Sequence, residues 1–156
     1  SICKNTTAAK PEKISMHWVL DFDKERQYSE QMAKDMHTKC ASVMEDVGNL
    51  SGGNMQKVLL GKWLFAEPDI LILDEPTRGI DVGAKYEIYS IINKMVAEGK
   101  SVIMISSEMP EILGMCDRIY VMNEGKMIAE MDGKDATQEK IMTEIINSGK
   151  TANLGE

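Results

Sequence analysis

Leu50-Ser51-Gly52-Gly53-Asn54-Met55-Gln56 is the stretch from which the rest of this chain can be read. Ser51 is a favoured helix N-cap, and the paired glycines let another backbone or a ligand approach closely. Val58, Leu59, Trp63 and Leu64 follow at helical spacing, which predicts a helix from about Ser51 to Ala66, closed by Pro68. A helix that opens on a small-residue turn presents bare N–H groups and the positive end of its dipole, a ready anion site. Beyond it, Asp69-Ile70-Leu71-Ile72-Leu73-Asp74-Glu75 reads as a short apolar strand ending in two acids, the pattern of a parallel strand buried on both faces.

Composition sets the frame for these two elements. A chain of 156 residues, 43% hydrophobic and 28% charged, is long enough for one domain with its own core. The net charge of -7 argues against nucleic acid as a partner. No apolar run approaches the ~20 residues of a membrane span, and no signal peptide is visible. Cys3, Cys40 and Cys116 are odd in number and lack metal-site spacing, so they read as reduced thiols. Thirteen methionines fall mostly on apolar faces, which points to an adaptable core and not to metal binding. Asn5-Thr6-Thr7 and Asn49-Leu50-Ser51 match the glycosylation pattern by chance. The first residue is Ser1, which suggests a piece of something longer.

Residues 1–23 carry no assignable pattern. From Lys24 to Val47, Tyr28, Met32, Met36, Cys40, Val43, Met44 and Val47 recur at helical spacing, with His37 read as a surface residue. After Pro76, Thr77 and Gly79 break the chain, a helix is expected over Val82–Glu98 with Tyr86, Tyr89, Ile92 and Met95 or Val96 on one side. Gly99 ends it, and Ser101–Ser106 reads as a second buried strand. A short helix from Glu108 to Met115, a hairpin turning at Asn123-Glu124-Gly125, a helix from Thr137 to Asn147 and a disordered tail over 149–156 complete the reading. The fold class is α/β: parallel strands with helices and a terminal antiparallel hairpin.

Asp74 and Glu75 close an apolar strand, the place where open α/β sheets hold their ligands. Two adjacent carboxylates there suit phosphoryl chemistry. Asp74 could hold Mg²⁺ through water, and Glu75 could orient or deprotonate the attacking water.

With these residues in view the chain resembles the ABC-type ATPases, a P-loop NTPase-like family. Leu50–Asn54 is similar to their signature motif, Ile70–Glu75 to their Walker B strand and catalytic glutamate, and Gly79-Ile80-Asp81 to their D-loop. Asp74–Tyr89 and Ser106–Gly114 are closer still to the second cassette of bacterial importers of the ribose, galactose and xylose type. The resemblance covers residues 47–148, the C-terminal part of the ATPase domain, and 1–46 fall where the family has its helical subdomain. It implies ATP and Mg²⁺ as cofactors, with Leu50, Ser51, Gly52, Gly53, Asn54, Gln56 and Asp81 toward nucleotide, Asp74 toward metal, and Glu75 and Glu108 as catalytic positions. It also implies partners: a second cassette, membrane permease subunits and, indirectly, a periplasmic or lipid-anchored sugar-binding protein, at the cytoplasmic face of the membrane.

Two departures qualify the resemblance. A P-loop needs G-x-x-x-x-G-K-[ST] after a strand. Gly99-Lys100-Ser101 and Gly149-Lys150-Thr151 supply the last three residues, but Lys94 and Glu144 occupy the first glycine's place and each follows a helix. The chain alone is therefore expected to be inactive. Secondly, Glu108 stands where the family has its switch histidine. Two like charges 4 Å apart at an effective dielectric near 20 repel by roughly 4 kcal/mol, so Glu108 suits a degenerate site, and equally a helix start. The expected arrangement is asymmetric: Ser51–Gly53 complete the competent ATP site of a partner cassette, while Asp74, Glu75 and Glu108 belong to a weaker one. Alternatives are an ABC-type ATPase of DNA maintenance, which would show long charged heptads near the signature, and a non-enzymatic dimerisation remnant.

Overall fold

The computed structural model describes residues 1–17 and 19–152, and the chain divides into two compact units, Ser1–Ile103 and Met104–Glu156. Ile2, Cys3 and Val43 share one apolar cluster of the first unit with Leu50 and Val58.

The first unit opens with α1 (Ile2–Thr7), a one-turn helix over Pro11–Ile14 and a short antiparallel hairpin, β1 (Ser15–Met16) with β2 (Val19–Leu20). Helix α2 (Phe22–Asp35) is capped by Asp21, whose carboxylate accepts the Lys24 N–H. The expected helix to Val47 ends much earlier. His37 adopts a positive φ of 49°, and the Thr38 and His37 N–H groups return to the Ala33 and Lys34 carbonyls, the two bonds of a Schellman stop. The carbonyls of Val43 and Glu45 cannot serve a helix because α1 takes them: Cys3 N–H donates to Val43 (2.8 Å) and Ile2 N–H to Glu45 (3.0 Å). Ile2, Cys3, Val43, Leu50 and Val58 then form one apolar cluster. The helical spacing of Cys40, Val43 and Val47 reflects contact with that cluster, not helix.

Helix α3 (Gly52–Phe65) follows the expected bounds closely. Its last carbonyls are covered by cations, with Lys13 Nζ donating to Phe65 (2.9 Å) and Lys10 Nζ to Ala66 (3.1 Å). β3 (Ile70–Asp74), the crossover helix α4 (Val82–Ala97) and β4 (Ser101–Ile105) make a βαβ unit in which β3 and β4 are the parallel pair. Ser101 N–H donates to Asp69 O at 3.0 Å. The strands are not buried on both faces as expected. Leu71 and Leu73 are buried, whereas Ile70 and Ile72 are 61% and 63% exposed and Ile103 52%. A fully apolar run here faces its own helices on one side only. Helix α4 likewise buries Ile88, Ile91, Ile92 and Met95, and Tyr86, expected inside, lies outside that stripe.

In the second unit α5 (Met109–Met115) precedes the antiparallel pair β5 (Arg118–Asn123) and β6 (Lys126–Asp132). Glu124 and Gly125 both have positive φ, the geometry of a two-residue hairpin turn. Ile119, Val121 and Ile141 form the core with Ile112, Leu113 and Ile145 around them. Helix α6 (Gln138–Ala152) is capped by Thr137, as expected, but runs beyond Asn147 through the first residues of the expected tail. Asn123 Nδ2 donates to Ser148 Oγ (2.9 Å), which ties that turn of helix to the hairpin. Residues 153–156 of the expected tail lie outside the described residues. Among the described residues no helix is long and apolar enough to cross a membrane.

Candidate functional site

The start of α3 is the centre of the site. Ser51 takes the N-cap position with extended backbone (φ -65°, ψ 156°), yet its hydroxyl accepts no backbone N–H of its own helix. Leu50, buried in the apolar cluster, fixes the chain just before it. Ser51 and Gly52 are exposed, and Gly53 is buried. A Cβ on Gly53 would sit 2.6 Å from the Ala84 Cβ, so only glycine lets α3 reach α4 here. A Cβ on Gly52 would lie 3.6 Å from Ile80 Cγ2, an ordinary contact. The structure therefore brings the Ser51–Gly53 turn against Gly79-Ile80-Asp81 and the first turn of α4.

Side chains further along α3 secure this arrangement. Asn54 accepts the Lys39 N–H with Oδ1 (2.9 Å) and donates to Ser51 Oγ with Nδ2 (2.9 Å). Gln56, next but one, is half-buried, and its neighbour Lys57 is the inward residue, 2% exposed. The Lys57 ammonium donates to the His37 carbonyl (2.9 Å) and pairs with Glu87 on α4. That hydrogen bond holds the Glu87 carboxyl below the usual carboxylate range. Sequence reasoning missed Lys57. The available signal was its place on the stripe Gly53, Lys57, Leu60, Gly61, which α3 turns inward.

At the end of β3, Asp74 is exposed and Glu75 half-buried with φ of 47°, a left-handed conformation uncommon for a non-glycine residue. Such strain concentrates at sites where the neighbouring structure over-determines it. Pro76 and Thr77 are buried behind it, and Arg78 N–H returns to the Glu75 carbonyl at 3.2 Å. Asp81 caps α4, its carboxylate accepting the Ala84 N–H at 3.0 Å. Among the described residues no cluster of three His, Cys, Asp or Glu could hold a metal ion. Mg²⁺ needs only one or two protein carboxylates when phosphates and water complete its shell, and the exposed Asp74 fits that limited role. Glu108 belongs to the second unit. It is the N-cap residue of α5; its N–H donates to Ser106 Oγ (3.0 Å) and its carbonyl accepts from Glu111 and Ile112.

Residues 3–78 match the profile of the family described as ABC transporter. Over 141 residues the chain is 60% identical to the L-arabinose transport ATP-binding protein AraG of Geobacillus stearothermophilus, a match covering 90% of this chain and 28% of that protein. It is 54% identical over 141 residues to the xylose import ATP-binding protein XylG of Moorella thermoacetica, with 90% and 28% covered. The chain thus spans a little over a quarter of the length of these relatives. Among solved structures, an inward-facing putative metal-chelate type ABC transporter aligns with TM-score 0.79 at 14% identity, covering 94% of this chain and 58% of that one. A dimeric ATP-binding cassette bound to ADP and Pi aligns with TM-score 0.71 at 20% identity, covering 85% and 56%. At these identities the structural matches establish the fold.

Proposed function

We propose, from the premise that this chain carries part of an ABC transporter ATPase domain, that it serves in an ATP-driven importer of simple sugars. The observation that carries the reading is the seating of the Ser51–Gly53 turn on the start of α4, the helix that follows the acidic end of β3. The start of α3, where Ser51 and Gly52 are exposed, offers N–H groups and the positive end of the helix dipole, which suits the γ-phosphate of ATP held by the P-loop of a partner cassette. Leu50 fixes the turn, Asn54 and Gln56 flank it, and Asp81 holds the adjoining loop to α4. Asp74 would hold hydrated Mg²⁺, which supplies charge neutralisation on the phosphates. Glu75 would orient or deprotonate the attacking water. In the sequence Glu108 stands where the family has its switch histidine, and on that ground the nucleotide site served by Asp74 and Glu75 is expected to turn over poorly.

In this reading residues 1–46 belong to the helical subdomain, and closure of two cassettes over ATP drives permease subunits from the cytoplasmic face of the membrane. The sugar itself reaches the permease on a separate binding protein. The names of the relatives fall in sugar import, which favours this over DNA maintenance; α2, at 14 residues, is also far from a coiled-coil arm. The test is ATPase activity of the full-length protein. Ser51→Arg should abolish most of it and Glu75→Gln should cost less; equal losses would overturn the asymmetry.

A further inference from the structure

We propose that Asn54 is a positioning residue that sets the direction of the Ser51 hydroxyl, leaving its proton for a phosphoryl oxygen. This rests on the reading of Ser51 as a ligand of a nucleoside triphosphate. The two ends of a side-chain amide are chemically distinct, one accepting and the other donating. A backbone N–H can only donate, so the end of Asn54 that meets Lys39 N–H at 2.9 Å is Oδ1. Nδ2 is thereby turned to Ser51 Oγ, also at 2.9 Å. A hydroxyl whose lone pair receives that N–H keeps its own proton for another acceptor. Were Oδ1 turned to Ser51 instead, it would draw the proton away from the helix end.

The partner that fixes Asn54 is itself held. Lys39 follows the Schellman stop of α2, where Thr38 N–H donates to the Ala33 carbonyl at 2.8 Å. One turn further along α3, the buried Lys57 ammonium grips the His37 carbonyl. The amide of Asn54 therefore works between a clamped backbone donor and the serine, and the Ser51 hydroxyl caps no backbone N–H of its own helix. Hydroxyl and first-turn N–H groups together make an end of α3 that presents donors, matched to phosphate.

A double-mutant cycle on ATPase turnover of the full-length protein, at saturating Mg·ATP, tests this. Ser51→Ala should lower turnover by about tenfold or more, the scale of losing one donor to developing charge. Asn54→Ala should cost several-fold alone and almost nothing in the Ser51→Ala background, because both act through one proton. Losses that multiply would overturn the positioning role, as would full activity in Asn54→Ala. A Ser51→Ala protein of undiminished activity would instead sink the phosphate-ligand reading itself. Asn54→Asp separates positioning from folding. Its carboxylate can still accept the Lys39 N–H, so hydrogen exchange at that amide should stay protected, while the other oxygen turns the Ser51 proton inward and turnover falls. Retained turnover in Asn54→Asp would also overturn the proposal.

Discussion

Gly53 and Gly52 are neighbours in sequence with opposite tolerance. A methyl group on Gly53 would meet the Ala84 Cβ at 2.6 Å, whereas one on Gly52 meets Ile80 at 3.6 Å. Gly53→Ala should therefore destabilise the chain by about 1–3 kcal/mol, the usual cost of overpacking, and Gly52→Ala much less. Urea unfolding of the two variants checks this, and equal midpoints would contradict it. At this scale the sequence was informative about residue type and mute about partner. The pair of glycines announced a close approach, but Ala84 lies too far along the chain for any local pattern to name it. Lys57 was only partly legible for a related reason: it lies on the stripe of Gly53, Leu60 and Gly61, but no local pattern names its partners, Glu87 and the His37 carbonyl.

Among the elements, α3 and α4 are joined by a charge pair whose sign against pH can be worked out. The Glu87 carboxyl lies below its ordinary value because Lys57 hydrogen-bonds its charged form. Its contribution is thus fully present above about pH 4.3, the unperturbed glutamate value, and fades as pH falls through the depressed one. Glu87→Gln should be less stable than the parent at pH 7, and the gap should close in acid; a gap that is constant from pH 7 to pH 3 would refute the pairing. Because the Glu87 side chain is 44% exposed, solvent screens the effect to about 1 kcal/mol or less. Helix and strand positions after Ser51 were largely readable, since α3 and α4 combine a periodic run with a turn signal, and β3, β4 and the β5–β6 hairpin combine a short apolar-rich run with one. The end of α2 was not. Helical spacing continued past Asp35 because Val43 and Val47 must still face the α1 cluster, and spacing alone cannot distinguish a helix from a loop folded onto the same core.

For the molecule as a whole, the same limit explains β3 and β4. An unbroken apolar run predicts cover on both faces, but cover is a property of the neighbours, and in the first unit Ile70, Ile72 and Ile103 stay open. Such a surface favours self-association. This chain should elute from a sizing column as more than a monomer, and Ile72→Lys should shift it toward the monomer; a monodisperse parent would contradict the expectation. The junction of α2, α3 and α4 behaves in the opposite way, being closed around a single amine. A side chain 2% exposed is hidden from amine-acylating reagents, whose acyl carbon is attacked only by a neutral, accessible amine. Lys57 should consequently acquire label only when the junction opens, so its slow acylation beside the fast exposed lysines gives a built-in clock for local unfolding of the packing behind the candidate site.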